Sequence, residues 1–161
     1  MRVRGSGRII QISSVGGQVA YPVSSSYHAG KWGLEGFSEA LSQEVAELGV
    51  HVTIVEPGGM RTGFGANARF TQETAAYAPT SVGAFRRVMA DAGDDIYISD
   101  PAKLAAAVFD TTRAAEPPLR LALGPDAYDQ IHRSLRGRLA ALEAQEVLAR
   151  SVTFESAPLH S

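Results

Sequence analysis

Three short apolar runs, separated by longer amphipathic or polar stretches, organise the chain. The first, Arg8 to Ile12 (RIIQI), lies between a Gly-rich lead and Ser13-Ser14 and predicts a buried strand. Gly16-Gly17 and Pro22 mark Val15 to Val23 as a loop. A long helix follows. Ser24, Ser25 and Ser26 offer N-caps, and Leu34, Phe37, Leu41, Val45 and Leu48 recur at three- and four-residue steps, which predicts one apolar face. Gly49 stands where a left-handed C-cap is expected. Val50 to Val55 (VHVTIV) is the second predicted strand, and Pro57-Gly58-Gly59 stops it.

From Gly59 to Thr80 the periodicity is weak, and the segment reads as a long, partly helical, lid-like loop. Ser81 to Ala92 predicts a short helix. Asp100-Pro101 opens another, to about Ala115, with Asp as N-cap and Pro at the first helical position. Pro117-Pro118 ends it, and Leu119 to Leu123 (LRLAL) is a third predicted strand. Gly124 to Arg150 reads as mostly helical with a break at Gly137, and residues 151–161 as a loose tail. A strand, a long helix and a second strand make a βαβ crossover, so the strands run parallel. The expectation is a single α/β unit over residues 1–161, without a linker or internal repeat.

Composition narrows the partners. Fifteen basic and 17 acidic residues give a net charge of −2, which offers no case for nucleic acid or an anionic membrane. The absence of cysteine excludes disulfides and thiolate metal sites. His28, His51, His132 and His160 are scattered, so no metal site is expected. No run approaches the ~20 apolar residues of a membrane span. The basic N-terminus leads into no long apolar stretch, so no signal peptide is expected and a cytoplasmic protein is the default.

Candidate chemistry centres on Tyr27 and Lys31, four residues apart and one turn apart on a helix face. An ammonium beside a phenol favours the phenolate, and such a tyrosine can exchange a proton near neutrality. Ser14 ends the preceding strand, 13 residues before Tyr27. Functional groups gather at the C-terminal ends of parallel strands. Each signal alone also fits a surface pair or a strand-end turn. Their joint order on a strand–helix–strand unit is what points to a site.

The segments GRIIQISSVGG, YHAGK and VTIVEPGGMRT resemble the active-site half of the short-chain dehydrogenase/reductases, strongly over residues 7–62. GPDAYDQIHRSLRGRLAALEAQEVLARS resembles the closing region of a broad group that includes steroid-dehydrogenase-like members. The resemblance implies a partial Rossmann-like, doubly wound parallel sheet, comprising strands five to seven of the family fold with the N-terminal half absent. It implies an NAD(P)-dependent oxidoreductase interconverting an alcohol and a ketone or aldehyde. Tyr27 would be the general acid/base. Lys31 would favour its phenolate and hold the nicotinamide ribose hydroxyls. Ser14, with Ser13 as the neighbouring alternative, would polarise the substrate oxygen. Pro57, Gly58 and Met60, with the Thr62 hydroxyl, would contact the nicotinamide end. Gly30 replaces a serine common in the family motif.

Gly5-Ser6-Gly7 precedes a strand rather than following one, so it does not supply the family's pyrophosphate turn. The residue that selects NAD or NADP is not in the sequence. The alternative expectation is therefore a truncated, non-catalytic fragment or an interaction module, with an apolar open edge at Arg8–Ile12 and marginal stability. The remaining signals receive plainer readings. His28 is expected to be packed or solvated, and Arg133, Arg136 and Arg138 to be a solvated face. Ala29, Gly33, Gly36 and Ala40 would allow close helix packing, with homo-oligomerisation through that helix a family expectation. Phe64, Phe70 and Tyr77 would line a substrate pocket or form a satellite cluster.

Overall fold

The computed structural model describes residues 1–154. Strand β1 (Gly7–Ile12), helix α1 (Ser25–Val45), strand β2 (Val50–Pro57) and strand β3 (Arg120–Leu123) form the frame. The sheet has the order β1-β2-β3 and both pairings are parallel, with Ile9 opposite Val52 and Val55 opposite Leu121. Between β2 and β3 come α2 (Phe64–Asn67), α3 (Ser81–Asp91) and α4 (Pro101–Arg113); α5 (Pro125–Glu143) and α6 (Glu146–Ser151) follow β3. The α/β class and parallel sheet expected from the βαβ pattern are present.

The caps explain several boundaries. Asp100 accepts from the Ala102 and Lys103 amides, and Pro101 takes the first turn of α4, as the Asp-Pro pair predicts. Gly49 has φ +66°, a conformation that L side chains avoid, and it turns the chain from α1's 3-10 extension into β2.

β2 is the central strand and carries most of the core: Val50, Val52, Ile54 and Val55 are buried, joined by Ala127 and Ile131 of α5. It runs two residues beyond the predicted Val55, through Glu56 and Pro57. Pro57-Gly58-Gly59 is the expected stop, but Glu56 has buried partners and Pro57 lies opposite Leu123. β3 begins at Arg120, yet the Leu119 carbonyl already accepts from the Ile54 amide. Gly137 does not break α5, because it sits on an open face where nothing competes with the helical bonds. α6 lies within the segment predicted to be helical and reaches only Ser151 of the expected loose tail; residues 155–161 lie outside the described residues.

Helix α1 does not bury the face that its apolar periodicity predicts. Phe37 and Leu48 are exposed and Leu34 and Leu41 half-buried, whereas His28, Glu35 and Ser38 are buried. The cause is a polar network. The Arg120 guanidinium ion-pairs with Glu35 of α1, with Glu39 at 2.8 Å and with Glu56 of β2 at 2.9 Å. Gln18 donates to Glu56 at 3.0 Å, and Arg138 of α5 donates to Gln18 at 3.0 Å. Arg138 also lies over the Trp32 ring at 5.0 Å, so this member of the basic group is engaged rather than simply solvated.

Burial raises the Glu56 pKa above the ordinary glutamate value of 4.5, and nearby Glu35 adds to the rise against hydrogen bonds from Gln18 and Arg120. A carboxyl whose pKa rises on folding contributes stability below 4.5 that is lost as pH rises through the folded-state value. Glu56→Gln, which stays neutral, is therefore expected to gain stability over wild type as pH rises from 4 towards 7. Urea unfolding across that range checks it, and an unchanged gap would contradict the linkage.

Candidate active site

The C-terminal ends of all three strands open on one side of the sheet, and the candidate residues collect there. Ser13 and Ser14 leave β1 in succession and diverge. Ser14 is buried and extended, and its Oγ accepts from the Gly16 amide at 3.0 Å, which starts a 3-10 turn at Val15–Gly17. The Ser14 hydroxyl hydrogen is left to donate elsewhere. Ser13 Oγ is buried without a partner among the described residues and adjoins Gly17 together with Glu35, on the side of the acidic network.

Gly16 joins Ser14 to the tyrosine. A Cβ at Gly16 would sit 2.9 Å from Tyr27 Cε1, so only glycine lets the turn lie against the ring. Tyr27 is half-buried in the first turn of α1, and its ring lies 6.0 Å from that of Phe64. The Tyr27 hydroxyl has no hydrogen-bond partner among the described residues. Lys31, one turn on, has Nζ 5.9 Å from the Tyr27 ring centre and donates to the Ile12 carbonyl at 2.9 Å. That contact pins the lysine to the end of β1. Ser14, Tyr27 and Lys31 thus meet around one strand end.

His28 is buried rather than solvated. Its Nε2 accepts from the Tyr21 amide at 2.9 Å, so Nδ1 carries the hydrogen donated to the Gly16 carbonyl at 2.8 Å. The imidazole ties both ends of the loop before α1. Burial, followed by the charges of Asp126 and Tyr27, raises the Tyr21 pKa, which keeps that phenol neutral as it bonds to Gln130.

The loop after β2 forms the opposite wall. Gly58 donates to the Leu123 carbonyl at 2.9 Å. Gly59 donates to Asp126 Oδ2 at 2.7 Å, and its carbonyl accepts from Ser99 at 3.0 Å. Met60 bridges to Ser99, and Thr62 Oγ1 accepts from the Phe64 amide at 3.3 Å. Phe64 therefore links this loop to Tyr27. Gly58 has no room for a Cβ against the Asp126 carboxylate, which accounts for a glycine there.

Asp126 is a functional candidate that sequence reading missed. Its signal was the spacing of Gly124-Pro125-Asp126, a helix start with an acid in its first turn. Asp126→Ala is expected to leave the sheet intact, speed hydrogen exchange at the Gly59 amide about tenfold or more, and cost about 1 to 2 kcal/mol. Amide exchange followed by NMR measures this; unchanged Gly59 exchange would show that the clamp is not holding the loop.

A cleft of about 690 Å³ opens beside Tyr27 under the lid-like segment, with Phe64, Phe70 and Phe85 among its walls. Tyr77 lies outside this lining. Among the described residues no group of His, Asp and Glu could hold a metal ion.

A short chain dehydrogenase family model matches residues 1–73. Oxidoreductase BOA17 of Botryotinia fuckeliana is 38% identical over 130 residues, which is 80% of this chain and 47% of that protein. A short-chain dehydrogenase from Streptomyces avermitilis is 41% identical in sequence and superposes with a TM-score of 0.83, over 95% of this chain and 55% of that one. The chain belongs to the short-chain dehydrogenase/reductase family. An actinorhodin polyketide ketoreductase variant solved with NADPH is 29% identical, with a TM-score of 0.51 over 75% of this chain and 47% of that one. The chain spans about half the length of the curated relatives that it matches. No described helix is long and apolar enough to cross a membrane.

Proposed function

We propose that this chain carries the catalytic portion of an NAD(P)-dependent oxidoreductase that interconverts an alcohol and a ketone or aldehyde, with Ser14, Tyr27 and Lys31 as the catalytic residues. The observation that carries the reading is the unpartnered Tyr27 hydroxyl, in a half-buried ring between Gly16 and Phe64 and beside the Lys31 ammonium. When bound, the nicotinamide cofactor supplies or takes the hydride.

The chain's own residues do the rest. Ser14 donates its free hydrogen to the substrate oxygen and orients it. Tyr27 gives or takes the proton at its hydroxyl oxygen as the substrate oxygen gains or loses it. The two Lys31 ammonium hydrogens not used on Ile12 suit ribose hydroxyls. The glycine loop fits the nicotinamide end. The amides of Gly58 and Gly59 are spent holding its shape, while the Met60 N–H has no partner among the described residues. Pro57, Gly58, Met60 and Thr62 would hold the ring against the cleft, and Phe64 and Phe70 would keep water from it.

The half-length match to relatives supports a second reading, a non-catalytic portion that acts through its surfaces. Exposed Trp32 and Phe37 on α1, beside glycines 30, 33 and 36 that face open space, fit such a role. One assay separates the two. The purified protein is incubated with NADH or NADPH and a panel of ketones and aldehydes, and loss of reduced-nicotinamide absorbance is followed. Substrate-dependent oxidation supports the enzyme. A folded protein that binds neither cofactor supports the second reading.

A further inference from the structure

The lining of the Tyr27 cleft is uneven in charge. Its walls near the tyrosine are aromatic, but Arg69, Arg86 and Arg87 line it together with Glu73, the one carboxylate of the lining among the described residues. This concentration of positive charge sits on a chain whose net charge is −2.

Arg86 is the informative member. It is half-buried, its Nη2 donates to the Thr71 carbonyl at 2.8 Å, and its guanidinium carbon lies 5.9 Å from the centre of the Phe70 ring. Arg87 donates to the Ala78 carbonyl at 3.1 Å. None of the three arginines forms an ion pair among the described residues. A guanidinium held against an aromatic wall by one carbonyl keeps several N–H donors without an anion. Partial burial makes such an unneutralised charge unfavourable, and an anionic oxygen group is its natural partner.

We propose that the cleft selects substrates with an apolar body and an anionic head, a carboxylate or a phosphate. The head lies on the Arg69, Arg86 and Arg87 side, and the reacting oxygen at Tyr27. The proposal rests on Tyr27 being the acid/base of this cleft; the charge selectivity can be measured without turnover.

Calorimetric titration of the purified protein with 4-phenylbutyrate, phenyl phosphate and neutral 4-phenylbutanol tests it. At least one anion is expected to bind tenfold or more tightly than the alcohol, with the advantage shrinking as salt is raised. The tighter anion names the head group. Arg86→Gln and the more exposed Arg87→Gln are each expected to weaken the anions several-fold and leave the alcohol unchanged; Glu73→Gln is expected to tighten the anions. Equal binding of acid and alcohol, no binding of any probe, or anion affinities indifferent to both arginine variants would overturn the proposal. Cofactor binding without charge selectivity would sink this inference alone. Charge selectivity without cofactor binding would sink the oxidoreductase reading and leave the inference standing.

Discussion

Replacing Arg120 with alanine is expected to cost about 3 kcal/mol of folding stability, the low end of the range for stripping one partner from a buried ion pair. Arg120 is the cation between Glu35, whose side chain is 5% exposed, and Glu56, at 3%. Both carboxylates would remain inside after the substitution, each without its cation. The arginine is itself 31% exposed, so water would relieve part of the penalty, which places the estimate at the lower end. Burial alone would lower the Arg120 pKa, but its bonds to Glu56, Glu39 and Glu35 outweigh that and raise it, so the charge persists throughout the working range. Glu39 is the internal comparison. Its side chain is 52% exposed, and Glu39→Ala is expected to cost only about 0.5 kcal/mol. Arg120→Lys keeps the charge without the planar fork and should recover only part of the loss. Urea unfolding at neutral pH measures all three. A cost for Arg120→Ala as small as that for Glu39→Ala would show that the network is incidental.

Tyr27→Phe is expected to lower turnover about a thousandfold, within the usual range for removing a general acid/base, with cofactor affinity and stability nearly unchanged. Stability should hold because the hydroxyl has no partner among the described residues, while the ring contacts with Gly16, His28 and Phe64 remain. The split matters more than the size of the loss. A merely structural tyrosine would change stability and binding along with rate. Steady-state kinetics with either reduced nicotinamide, beside thermal unfolding of both proteins, separates the cases. Retained turnover in the phenylalanine variant would remove Tyr27 from the proton-transfer role.

Much of the frame was legible because it rests on local rules. The Asp100-Pro101 start, the Gly49 stop and the two β-rich runs each carry their own signal, and strand–helix–strand order fixes the parallel pairing. The Tyr27–Lys31 spacing likewise places both residues on one helix face. What stayed hidden depends on partners distant in sequence. Glu35 and Ser38 look like solvent positions on an amphipathic helix, and only Arg120, 85 residues beyond Glu35, makes an acidic interior face tenable. Glu56 falls outside the predicted strand for the same reason: its partners Gln18 and Arg120 are distant in sequence. Asp126 gives no hint of Gly59, 67 residues away, until β2 and β3 are side by side. The sequence leaves His28 open as packed or solvated, because its bonds to Gly16 and Tyr21 require the loop's folded path.

The most direct measurement is calorimetric titration of the purified protein with NADH and NADPH, repeated on Lys31→Ala. Lys31 sits between the Ile12 carbonyl and the Tyr27 ring, and the proposed reading puts the nicotinamide ribose against it. The oxidoreductase reading predicts saturable binding of at least one cofactor, weakened tenfold or more by the substitution while the fold is kept. A folded wild-type protein that binds neither cofactor, or binding indifferent to Lys31, would contradict it.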